Sequence, residues 1–76
     1  MLNSAKLRGL IVENGYNLGQ IAGELGITPK TMYERLAVGN FRLEEMDKLI
    51  ELLNIADPIP IFFTQYVTSQ DYKDNA

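Results

Sequence analysis

The chain has 76 residues, a formal net charge of −3, and neither cysteine nor histidine. That length leaves room for one domain, and the missing residue types exclude disulfide staples, the usual zinc and haem ligand sets and Cys/His nucleophiles. No apolar run reaches the ~18 residues of a membrane span, and the start Met1-Leu-Asn-Ser-Ala-Lys6 has no signal-peptide core, so a soluble cytoplasmic protein is expected.

Residues 4–14 are predicted as a first helix, with Leu7, Leu10 and Ile11 on its apolar side, Asn3 or Ser4 as cap and Asn14-Gly15 as stop. Lys6 and Arg8 fall on its polar side as a solvated face, with phosphate contact an auxiliary role at most. Asn17 then caps a second helix in which Leu18, Ile21, Ala22 and Leu25 stand at i, i+3, i+4 and i+7. Gly26 stops it, because the residue after a helix commonly takes a left-handed conformation that costs glycine nothing. Ile27 is an apolar plug in the turn. Thr28-Pro29 opens a third helix, Pro29–Leu36, with Thr28 able to cap free N–H groups and Pro29 at a position where its missing N–H is no loss. Met32 and Leu36 share the packing face, and Lys30, Thr31, Tyr33, Glu34 and Arg35 spread over the rest.

Ala37-Val38-Gly39-Asn40 reads as a loop. After it, Phe41 and Leu43 lead into a helix over 43–53, expected to be the longest, with Leu43, Met46, Leu49, Ile50 and Leu53 on its buried side. Glu44, Glu45 and Asp47 crowd its first turn as exposed charges that complement the helix dipole, so no metal site is needed to explain them. Asn54-Ile55 closes this helix as a left-handed cap with an apolar contact. Asp57-Pro58 is a fresh start signal. In the segment that follows, Ile59, Phe62, Phe63 and Tyr66 have helical spacing, whereas Ile59, Ile61 and Phe63 alternate as a strand would. A short helix over 58–66 is favoured. Phe62, Phe63 and Tyr66 are more aromatic mass than a small core absorbs, so they are candidates for an exposed patch and a homodimer interface. Residues 68–76 are expected to be a flexible tail beyond a domain spanning 1–67.

The combination of Ala22, Gly26, Ile27, Thr28, Met32 and Leu36 resembles the helix-turn-helix of the lambdoid phage repressor and Cro family, also called Xre-like. With its flanking helices the resemblance extends over about residues 4–63. Small phage regulators of this kind show a similar ending to Asp57-Pro58 and Ile61-Phe62-Phe63. The resemblance implies an all-α, compact domain of four to five helices that binds double-stranded DNA as a phage- or prophage-type transcriptional regulator, of the repressor kind. It also exposes departures. Ile11 and Leu36 stand where many relatives carry a buried Arg–Glu pair, a double replacement that is coherent because packed apolar groups substitute well for such a pair. Ile11 and Leu36 are therefore expected to meet. Leu18 stands where relatives have a Gln that bonds a phosphate; Gln20, or the free N–H groups at the start of that helix, are left for the task.

By the same resemblance, the third helix enters the major groove, and Thr28, Lys30, Thr31, Tyr33 and Glu34 are the candidates for base contacts. Gln20, Arg35, Gly39, Asn40 and Arg42 are the phosphate candidates. The acidic total argues against DNA only if charge is spread evenly. It is not: residues 1–42 carry Lys6, Arg8, Lys30, Arg35 and Arg42 against Glu13, Glu24 and Glu34, and Glu44, Glu45, Asp47, Glu51, Asp57, Asp71 and Asp74 all come later. The alternative is a protein-interaction module that keeps the fold without binding DNA, favoured by Leu18, the acidic balance and the aromatic segment. No nucleophile constellation or phosphate loop suggests an enzyme, and no metal or cofactor is expected.

Overall fold

A computed structural model describes residues 2–64, which form five helices and, among the described residues, no strand. They are α1 (Ser4–Glu13), α2 (Leu18–Leu25), α3 (Pro29–Val38), α4 (Leu43–Leu52) and α5 (Ile59–Phe62). Tyr66 and the tail 68–76 lie outside the described residues.

Local chemistry sets the helix ends. Asn3 Oδ1 accepts from Lys6 N–H at 3.1 Å and caps α1; at the far end Asn14 turns its side-chain amide back onto the Leu10 carbonyl at 2.8 Å. Asn17 and Gln20 close α2 reciprocally, each side chain accepting the other's backbone N–H at 2.8 and 2.9 Å, so two otherwise orphaned donors are satisfied. Gly26 ends α2 at φ +73°. Asn54 takes the expected left-handed conformation at φ +52°, and Ile55 N–H reaches back to the Ile50 carbonyl at 3.0 Å.

Each helix sends residues to one core: Leu7 and Ile11 from α1, Ile21 and Ala22 from α2, Met32 and Leu36 from α3, Leu49 from α4, Ile61 and Phe62 from α5, joined by Phe41 and Leu53. Burying one such aliphatic side chain fully contributes roughly 1.5–3 kcal/mol. Ile11 and Leu36 are both inside this cluster. α2 packs on α3 and on α4, and α1 packs on α5. Asn3 N–H also donates to the Ile61 carbonyl at 2.7 Å, fastening the start of the chain to α5.

Several expectations are corrected. α3 runs on to Val38, and α4 has ten residues, no more than α1 or α3. Leu43 is 72% exposed while Glu45 is 5% exposed. The reason is register: Glu45 lies four residues before Leu49 and eight before Leu53, on the inward line of α4, and Leu43 lies off it. α5 spans only Ile59–Phe62, helical as favoured but shorter than 58–66, with Pro60 in its first turn where a proline is tolerated. Phe62 is buried, its ring edge-on to Phe41 with centroids 6.2 Å apart and planes at 81°, and Phe63 is half-buried against the same core. The core takes in Phe62, which therefore does not offer the exposed patch expected of it, whereas Phe63 stays partly exposed.

Candidate functional site

The α2–α3 pair leaves an outward surface that the core does not use. In α3 the inward positions are Met32 and Leu36, which turns Lys30, Tyr33, Glu34 and Ala37, spaced i, i+3, i+4 and i+7, to the opposite side, and all four are exposed. The start of α3 is held by Thr28, whose Oγ1 accepts Thr31 N–H at 3.1 Å and donates to Thr31 Oγ1 at 3.0 Å. The Thr28 O–H is thereby spent on Thr31, which leaves the Thr31 O–H and the two methyl groups for an outside contact. Pro29 has no N–H, so Lys30 supplies the first backbone donor at this end that has no carbonyl to meet.

At the start of α2, Gln20 bends its side-chain oxygen back into the cap, leaving only its NH₂ as an outward donor. Leu18 is half-buried against the core and offers no side-chain hydrogen bond. The N–H groups of Leu18 and Gly19 have no acceptor among the described residues, so polar capacity here comes from backbone.

The third part is the α3–α4 corner. Gly39 adopts φ +81° and its N–H is taken by the Arg35 carbonyl, 2.6 Å away, so of the two amides expected to be free in this loop only that of exposed Asn40 is. Arg35 is not a free cation either. Its Nε and Nη2 bond the two carboxylate oxygens of Glu45 at 2.8 and 3.2 Å, and the same Glu45 Oε1 accepts Arg42 N–H at 3.0 Å. The Arg35 guanidinium, bonded to that carboxylate, holds the Glu45 carboxyl below the usual carboxylate range; burial opposes the shift and the Arg42 N–H adds to it. Glu45 in turn raises Arg35. Arg42 keeps an exposed side chain beside the loop.

Tyr33 joins this surface to a groove of about 460 Å³ between α1, the start of α2 and α3, lined by Arg8, Ile11, Val12, Leu18 and Tyr33 among others. Arg8 lies over the Tyr33 ring at 6.0 Å from its centroid, an attraction of about 0.5–1 kcal/mol at an exposed site. Val12 on the groove wall is 71% exposed.

The fold therefore brings Gln20, Thr28, Lys30, Thr31, Tyr33 and Glu34 onto one helix pair, with Asn40 and Arg42 at the corner that follows it. It withdraws Arg35 into an ion pair and uses the Gly39 amide as a cap. Glu45 and the Arg8–Tyr33 contact were missed by sequence reasoning. A Glu three residues after a helix start is half of a capping signal, and with Arg42 instead of Ser or Thr at the cap the signal was incomplete. The Arg8–Tyr33 contact joins residues far apart in sequence and left no local trace. Among the described residues no cluster of acidic side chains could hold a metal ion, and no helix is long and apolar enough to cross a membrane. Compared with family profiles, with curated proteins and with solved structures, the chain matches none.

Proposed function

We propose that the chain binds double-stranded DNA through α2 and α3 as a helix-turn-helix of the lambdoid repressor and Cro type, and acts as a phage- or prophage-type transcriptional regulator, a repressor. One observation carries the reading: α3 is capped at both ends and its Lys30, Tyr33, Glu34 and Ala37 side stays exposed, outside the core. Such a helix fits a major groove, where Lys donates to guanine O6 and N7, Glu accepts from cytosine N4 and threonine methyls meet the thymine methyl. The amides at the start of α2 and of Asn40, with the Arg42 side chain, flank it as donors for phosphate oxygens.

A second reading is favoured by the groove beside Tyr33, whose exposed Val12 and half-buried Leu18 suit an apolar protein partner. Salt separates the two, because phosphate contacts release counterions and apolar contacts do not.

The test is an amide NMR titration with a short random duplex at low salt. DNA binding predicts shifts at residues 18–20, 28–34 and 40–42 that fade as salt rises. Absence of shifts there overturns it. Saturable shifts confined to the groove with an unrelated protein partner, insensitive to salt, would support the second reading.

A further inference from the structure

The α3–α4 corner is held from three sides. Phe41 is anchored in the core against Phe62. Gly39 passes close to Leu2, so close that a Cβ on it would stand 3.0 Å from Leu2 Cβ. The third hold is Glu45, 5% exposed, whose one carboxylate takes donors from both ends of the loop: the Arg35 guanidinium on the last turns of α3 and the Arg42 N–H at the start of α4. Between those two bonded residues lie Asn40, with its amide unspent, and the phosphate-facing span of the proposed interface.

We propose that Glu45 is a positioning residue for duplex binding: by clamping Arg35 to the Arg42 backbone it sets the corner so that the Asn40 amide and Arg42 reach a phosphate while α3 lies in the groove. This rests on the DNA reading above. It also assigns Arg35 a different task from the one its charge suggests, namely to be the clamp's other jaw instead of an independent phosphate contact.

DNA is a polyanion, so removing a carboxylate from a protein of net charge −3 raises affinity on electrostatic grounds. A positioning Glu45 demands the opposite. The measurement is fluorescence anisotropy of a labelled random duplex with the full chain across a salt series, for wild type, Glu45→Gln, Arg35→Lys and, as the charge-matched control, Glu44→Gln; Glu44 is its exposed neighbour.

Glu44→Gln is expected to bind as well as wild type or better. Glu45→Gln is expected to bind on the order of tenfold more weakly, the equivalent of one charge-assisted hydrogen bond, and to show a salt slope shallower by about one. A loss of folded fraction alone would leave that slope unchanged, so the slope separates positioning from mere stability. Arg35→Lys keeps the charge and loses the two-point grip; it is expected to weaken binding as Glu45→Gln does, and it keeps the inference testable if Glu45→Gln does not fold. Equal binding by Glu45→Gln and Glu44→Gln, or wild-type affinity in Arg35→Lys, overturns the positioning role while leaving the DNA reading in place. No binding by wild type at low salt overturns the DNA reading, and this role with it.

Discussion

Glu45 is the residue on which the charge arrangement turns. Its carboxyl is held below the usual range by Arg35, so the folded state favours the ionised form more than the unfolded chain does, where a glutamate titrates at about 4.3. The stability this supplies is fully present above that value and is lost as pH falls through the lower, folded one. Wild type should therefore lose urea resistance faster than Glu45→Gln as pH drops below about 4.3, and parallel losses would show that the pair contributes no pH-linked stability. At Lys30, replacement by alanine should lower affinity for a preferred duplex by about 1–3 kcal/mol if the ammonium reads a base. An equal loss on every sequence would assign it to phosphate instead. The outward side of α3 was legible because caps and apolar spacing fix which way that helix faces. Arg35, Gly39 and Glu45 were not, because their partners lie across a loop, where no helical period relates them.

Helix ends were the most readable elements, since a cap is a local hydrogen bond between residues a few positions apart. Asn17, Gly26, Thr28-Pro29 and Asn54 all act as their chemistry dictates. The interior register of α4 was less so: a leucine at its first position looked like core, and the inward line went to a glutamate because an arginine from α3 was there to meet it. Two glycines let this level be tested quantitatively. Gly26 and Gly39 both have φ in the left-handed region, but an added Cβ at Gly26 meets open space while at Gly39 it crowds Leu2. Gly26→Ala should cost about 1–2 kcal/mol, the backbone strain alone. Gly39→Ala should cost measurably more, and equal urea-derived costs would mean that Leu2 yields freely.

For the molecule as described, α1 to α4 were legible from periodicity and caps, whereas the fate of Phe62 was not, because how much a core absorbs depends on how the helices meet. Phe62 belongs to that core. Phe62→Ala should accordingly cost about 3–5 kcal/mol of unfolding free energy, with the same urea midpoint shift at low and high protein concentration; a shift that shrinks on dilution would place Phe62 at a subunit contact after all. Tyr33 carries a last consequence. It is 53% exposed, stands where the outward side of α3 meets the groove beside Arg8, and belongs to a chain without tryptophan. A Tyr33→Trp variant would carry one indole, placed at the boundary between the two candidate surfaces. Stacking or contact with bases would quench its emission, while an apolar occupant of the groove would shift it to the blue, so one optical signal would tell which side of the helix is covered.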